Sequence, residues 1–301
     1  MFASYENLLT ENAEETQYLD LVRQVIEKGL QKTDRTGVGT RSIFGPQNMK
    51  FNLRNNRLPL LTTKRMFWKG IVEELIWMIG GKTDSKLLDI KGVKIWNDHG
   101  SRAFLDKQGF TQRDEGDLGP IYGFQWRHWG APYISCYTDY TNQGIDQLAQ
   151  LIHLIKTEPN SRRLILSSWN VSQLSEMVLP PCPTLCQFNV SPDKELSCLM
   201  FQRSCDLGLG VPFDIASYSL LTHIIASVCH LTPGDFIYAM GDAHVYLNHI
   251  EPLKEQLQRK AQHFPTLIIS KKCDNIDEFQ ADDFKIHEYS PHGAVQMKMA
   301  I

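Results

Sequence analysis

The chain has 301 residues, and 31 Lys and Arg against 34 Asp and Glu give a formal net charge of −3. Hydrophobic residues make up 42% and charged residues 22%, which excludes collagen-like, acidic-disordered and strongly basic nucleic-acid-coating chains. A chain this long buries roughly three quarters of its unfolded surface, so no disulfide staple is needed. The seven cysteines lack repeated C-x-x-C spacing, which points to neither a disulfide framework nor a zinc site; a reducing compartment and no metal are expected. The first fifteen residues are acidic and polar, unlike a signal or transit peptide, so cytoplasmic location is the default. Length alone allows about two domains. No repeat, linker or low-complexity tract divides the chain, so one domain over 1–301 is expected.

In chain order, Tyr18, Leu21, Val22, Val25 and Ile26 share one helical face that ends near Gly29. A glycine-punctuated polar loop, Asp34 to Arg41, follows. A helix over about 68–79 is apolar almost all round, and so buried, yet carries Glu73 and Glu74. Another runs over about 145–156 and stops at Pro159. β-Rich stretches occupy 163–169, 185–190 and 196–202. The apolar stretch from Ile215 to Leu231 contains Ser, Thr and His, which fits a core helix starting near Phe213 rather than a membrane span. A short strand at 236–240 and an amphipathic helix near 247–259 complete the pattern. Strands clustered between helices, without regular βαβ alternation, predict an α+β fold with a mixed sheet packed by helices.

Three groups of residues carry potential chemistry. Cys182 lies between prolines in Leu179-Pro180-Pro181-Cys182-Pro183, which presents its thiol from a rigid turn. A nucleophilic thiol needs a cationic neighbour, and Arg203, two residues before Cys205 and three before Asp206, is a candidate. Arginines at 35, 162, 163 and 203 would bind one phosphomonoester well if they converged. His244 and Tyr246, two apart, face the same side if extended.

The ordered segments DRTGVGT, EELIWMIGG, GVKIW, DLGPIYGFQWR, SRRLILSSWN, LPPCPTLCQF, LSCLMFQRSCDLGLGVPF, IASYSLL, GDAHVYLNHIEPL and the terminal MAI closely resemble the thymidylate synthase family, from about Tyr5 to Ile301. The resemblance implies a homodimer with sheets packed back to back, and 5,10-methylenetetrahydrofolate as cosubstrate. Cys182 would then be the nucleophile that adds to C6 of a pyrimidine nucleotide. Arg35, Arg203, Ser204 and a second copy's Arg162 and Arg163 would hold the phosphate, and His244 and Tyr246 the ribose. Arg203 would also stabilise the thiolate. Glu74 and Tyr122 would organise proton transfer at C5. Asp206, Gly210 and Phe213 would meet the folate, while Trp96, Ala300 and Ile301 would keep water from the late intermediate.

The chain departs from the family at Asp214, where Asn is usual, and at Pro183, where His is usual; Asn97 and His99 also differ from the common pattern. A carboxyl suits cytosine if it accepts from N4 and shares a proton with N3. The expectation is therefore methylation of dCMP to 5-methyl-dCMP. The alternatives are dCMP hydroxymethylation, ordinary methylation of dUMP, and an inactive nucleic-acid-binding paralogue. Neither a membrane nor an obligatory nucleic acid is expected as partner, and the weak net charge argues against the last alternative.

Overall fold

A computed structural model describes residues 12–300; Tyr5 and Ile301 lie outside them. Helix α1 (Ala13–Lys28) opens on Asn12, whose side chain accepts from the Glu14 and Glu15 backbone N–H groups. Strands β1 (Leu30–Lys32), β2 (Thr40–Phe44) and β3 (Met49–Asn52) follow. Sequence patterning shows none of these three, because each has five residues or fewer and they lie among glycines and charges.

Helix α2 (Trp68–Ile79) covers the expected range and is mostly buried. Short helices α3 (Lys86–Ile90), α4 (Asn97–Gly100), α5 (Arg102–Lys107) and α6 (Tyr122–His128) precede α7 (Gln147–Thr157). Next come β4 (Ile165–Ser167), β5 (Pro183–Val190), β6 (Glu195–Asp206), α8 (Gly210–Val228), β7 (Thr232–Tyr246) and α9 (Ile250–Gln256). β8 (Thr266–Ile269) and β9 (Phe284–His287) form a small separate antiparallel pair.

The main sheet runs β1-β2-β7-β6-β5-β4, with β3 also on β7. β6 and β7 are parallel and joined through α8; the other pairs are antiparallel. This mixed α+β architecture is the expected fold class. α8 is long and apolar enough to cross a membrane, but most of it is buried in the core.

The expected short strand at 236–240 proves to be the middle of the 15-residue β7. Burial alternates as far as Met240, and beyond it pairing with β2 carries the strand through His244 and Tyr246. The expected helix over 247–259 is shorter: a 3-10 turn at Leu247–His249 leads into α9. One face of the sheet packs on the helices. The other leaves Ile165, Leu199 and Phe201 exposed at alternate positions.

Candidate active site

Cys182 sits just before β5, and its surroundings come from four elements. Its backbone N–H donates to the Tyr122 hydroxyl at the start of α6, 2.9 Å away. Its carbonyl accepts from the Arg203 N–H on β6 at 3.0 Å. The Arg203 guanidinium donates to the Pro181 and Pro180 carbonyls at 2.9 and 2.8 Å, and lies 5.2 Å from the centre of the Trp169 ring. The prolines flanking the thiol supply carbonyls but no N–H donors, so the turn itself orients the arginine.

Burial pushes the Cys182 thiol up, more than Arg203 and Arg35 bring it down; Asp214 and Asp206 add to the rise. Arg203 therefore acts on the thiol in the expected direction, but the resting thiol stays protonated.

Two carboxyls and a phenol line the same region. Glu74 on α2 accepts from the Trp96 indole N–H at 2.5 Å, and burial raises its pKa to about 7. Its neighbour Glu73 pairs instead with Lys91 at 2.6 Å. The Trp96 ring meets the Tyr122 ring edge-on at 6.2 Å. Burial drives Tyr122 well above the ordinary phenol range, so its hydroxyl is neutral and free to hydrogen-bond.

Asp214 is the fifth residue of α8. Burial, and then the nearby Glu74 charge, raise its pKa well above the usual carboxylate range, although Gln202 pulls the other way. An ionised carboxylate facing a base carbonyl would indeed be costly, but a neutral carboxyl escapes that cost. Pro183 is buried in the sheet, paired with Gln202 next to a bulge between Pro183 and Leu185.

Asp206 ends β6 and behaves oppositely. Burial would raise it, but His249, His244 and the Gly208 N–H hold it below the usual range. That N–H donates to Oδ1 at 2.8 Å. Gly210 opens α8 close to both carboxyls: a Cβ there would lie 3.7 Å from Asp206 Cβ and 3.8 Å from Asp214 Oδ2. Phe213 is partly buried on the same turn, as is Ser204 on β6.

The His244 and Tyr246 rings meet edge-on at 5.3 Å. His244 Nδ1 lies 3.3 Å from Asp242, which keeps the imidazole basic against burial. Arg35 is exposed in a turn built by Asp34, whose carboxylate accepts from the Thr36 and Gly39 N–H groups at 2.9 and 2.7 Å. Its charge reaches Cys182 and His99.

Arg162 and Arg163 do not join this group. Both are exposed just before the edge strand β4. Ala300 is partly buried at the end of the described chain.

Sequence reasoning passed over Gln202, Trp169, Lys64 and His249. Gln202 accepts from Tyr238 at 2.6 Å and donates to the Ser204 carbonyl at 3.0 Å. Lys64 is buried and donates to the Gly208 carbonyl at 2.6 Å. The usable signal for His249 was a histidine directly after the strand that carries His244 and Tyr246. A separate cleft of about 460 Å³, lined by Lys82, Arg127, His128 and Cys136 among others, shares no residue with this group. Its arginine is already paired with Asp146 and Asp277, at 3.0 and 2.5 Å.

The family model "Thymidylate synthase" matches residues 16–301. Thymidylate synthase of Saccharomyces cerevisiae is 54% identical over 298 residues, covering 96% of this chain and 98% of the yeast protein. Human thymidylate synthase is 56% identical over 287 residues, covering 95% of this chain and 91% of the human one. The bifunctional dihydrofolate reductase-thymidylate synthase 2 of Arabidopsis thaliana is 56% identical over 294 residues; they cover 98% of this chain and 52% of that protein. The chain thus spans about half the length of that bifunctional relative. It belongs to the thymidylate synthase family, C1-transferring transferases that use 5,10-methylenetetrahydrofolate as cosubstrate. None of these relatives is named for a cytidylate activity, so the expected cytosine preference rests on Asp214 and Pro183 alone.

Proposed function

We propose that this chain methylates C5 of a 2′-deoxypyrimidine 5′-monophosphate, with dUMP as substrate and methylenetetrahydrofolate as donor. The carrying observation is the gathering of Cys182, Tyr122, Arg203, Glu74 and Asp214 around one thiol. The relatives favour dUMP, since they are named for making thymidylate, the C5-methylated product of that nucleotide.

C5 of a pyrimidine is a poor nucleophile until a thiolate adds at C6 and places carbanion character beside it. Cys182 takes that role, giving up its proton to solvent as the base is bound and polarised. Arg203, held on two carbonyls, offsets the thiolate charge and contacts the phosphate with Arg35 and Ser204. His244 and Tyr246 hold the ribose. Glu74, with a pKa of about 7, gives or takes a proton near neutrality, held in place by the Trp96 indole N–H and with Tyr122 beside it. Asp206, Gly210 and Phe213 face the folate side. The exocyclic methylene left when tetrahydrofolate is eliminated takes hydride from that folate, which becomes dihydrofolate, rather than water if the site stays closed. Trp96, tied to Glu74, and the segment ending in Ala300 supply that closure.

A neutral Asp214 serves uracil as a carboxamide would: its O–H donates to O4 and its carbonyl accepts from N3–H. Turned over, the same group accepts from the N4 amino group of cytosine and donates to N3. This is the second reading, dCMP methylation. Asp214 specifically favours it, because a carboxyl, unlike an amide, can also pass its proton to N3 as the ring gains charge. Hydroxymethylation is the variant of either reading in which water captures the methylene.

We further infer a homodimer, in which the exposed Ile165, Leu199 and Phe201 are covered by a second copy. Arg162 and Arg163 would then complete the phosphate site of that copy. We place this one-domain enzyme in the cytoplasm. The deciding experiment incubates protein and methylenetetrahydrofolate with dUMP or dCMP and weighs the product. A gain of about 14 Da on dUMP supports the first reading, and the same gain on dCMP alone the second; about 30 Da means hydroxymethylation. No product from either nucleotide, with salt-dependent RNA binding, would instead support the non-enzymatic alternative.

A further inference from the structure

Trp169 takes no part in the chemistry derived for the site, yet its ring lies against Arg203, the group that serves both thiol and phosphate. The guanidinium carbon stands 5.2 Å from the ring centre, a separation at which an aromatic face attracts a cation. The guanidinium edge is fixed by two proline carbonyls, since Nε donates to Pro181 at 2.9 Å and Nη2 to Pro180 at 2.8 Å. These bonds engage two of its five N–H groups and leave three for a phosphate and a thiolate. The carbonyls set where the edge lies, and the ring face sets the plane. Trp169 is itself held from both sides. Ser168 before it is buried, donates its backbone N–H to the Thr184 carbonyl at 2.9 Å and accepts from the Trp126 indole N–H at 2.8 Å. Asn170 after it is buried too, and donates to Gln125 Oε1 and Gln173 Oε1, both at 3.0 Å. A ring between two buried, hydrogen-bonded neighbours is a rigid platform for the cation above it.

We propose that Trp169 is a positioning residue whose ring face fixes the plane of Arg203, and so aims its free N–H groups at the Cys182 thiol and at the nucleotide phosphate. This role rests on the proposed assignment of Arg203 to both. Without the ring, Arg203 keeps its charge and its backbone partners, but its plane is free to turn. The side chain is only partly buried, so water then takes up the donors that the ring had aimed. The charge stays nearby on average, yet its hydrogen bonds to a forming thiolate and to a phosphate become matters of chance, and both are directional. The other charged and titratable groups around the thiol are Asp214, Asp206, Arg35 and Tyr122, and none of them is altered by a change at Trp169. Trp169 therefore acts on the thiol through Arg203.

Two measurements on the full-length protein test it, and the first needs no nucleotide. The rate at which iodoacetamide alkylates Cys182, followed by peptide mass against pH, reports how readily the thiol ionises. Trp169→Leu should slow alkylation at pH 8 by about 5-fold, and Trp169→Phe, with its weaker ring face, by about 2-fold. The Phe variant decides the matter if the Leu variant does not fold. A merely structural loss would loosen the proline turn and speed alkylation, and that result would overturn the proposal. The second measurement is a double-mutant cycle on dUMP kinetics. Trp169→Leu should raise KM by about 10-fold in the wild-type background, but change it by less than about 2-fold when Arg203 is already Ala. Losses that add fully in Arg203→Ala would show that Trp169 acts by another route, and equal alkylation in wild type and both Trp169 variants would show that it aims nothing. Either result overturns the proposal. A wild type that binds no pyrimidine nucleotide would overturn the functional reading instead, and alkylation would then decide alone whether Trp169 aims Arg203 at the thiol.

Discussion

Asp214→Asn separates the charge of this side chain from its shape. Burial and Glu74 keep the carboxyl protonated in the folded protein, whereas the unfolded chain ionises it near 3.8. Because the folded value is the higher one, the folded state binds the extra proton. The stability tied to this group is fully present below pH 3.8 and is lost as pH rises through the folded value. In that window the loss approaches about 1.4 kcal/mol per pH unit. Asparagine has nearly the same volume and no titration. The stability of Asp214→Asn relative to wild type should therefore grow by up to about 3 kcal/mol between pH 5 and pH 7. Urea unfolding followed by tryptophan fluorescence at pH 5, 6 and 7 measures it, since the Glu74 contribution is common to both proteins. Parallel curves, with a constant offset, would show that Asp214 is ionised in the fold and would refute a neutral carboxyl that serves either base. The same variant should lower the dCMP-to-dUMP ratio of kcat/KM by about 10-fold or more, because an amide cannot pass a proton to N3.

The other expectations concern the thiol, its cation and its proton carrier. Cys182→Ser should lower kcat by about 1,000-fold or more with nucleotide affinity nearly kept, as read by single-turnover assay and calorimetric titration. Arg203→Ala should raise nucleotide KM by about 10-fold and lower kcat as well, since it loses both the phosphate contact and the charge opposing the thiolate; Lys should restore only part. Glu74→Gln should remove from the kcat profile the titration near pH 7, and a profile that keeps it would assign that step to another group. Mixing Cys182→Ala with Arg163→Ala protein should restore about a quarter of wild-type activity if each site draws arginines from its partner, and none if it does not.

The parts legible in the sequence were those with long-range pattern or long motifs. α2 was predicted over its actual range because twelve consecutive residues bury nearly every side. Cys182 stood out because three prolines flank it, and the structure gives the physical reason: two of their carbonyls hold Arg203. The β1–β3 strands were not legible, since pairing with the distant β7 rather than local propensity makes them strands. The extension of β7 through Tyr246 was hidden for the same reason, as β2 supplies its partner from 200 residues earlier in the chain. His249 was read as a helix residue, and nothing nearby in sequence announces the Lys298 carbonyl that it meets, 49 residues away.

Charge states were the least legible property, and they alter the mechanistic argument most. A sequence shows Cys182 near an arginine and Asp214 in place of an amide, and formal charges then suggest a thiolate beside a carboxylate. The fold buries both, together with Glu74 and Tyr122, and each moves toward its neutral form. A neutral Asp214, a neutral thiol and a Glu74 poised near pH 7 repel one another far less than three full charges would, which lets the site assemble before substrate arrives. On the proposed function, the energy withheld from the resting thiolate is recovered only when a base is present to accept it at C6, which would tie ionisation to bond formation and leave no reactive thiolate open to oxidation. Asp206, held ionised by His249, is the contrasting case: its charge is already in place, as suits a group that binds rather than one that transfers protons.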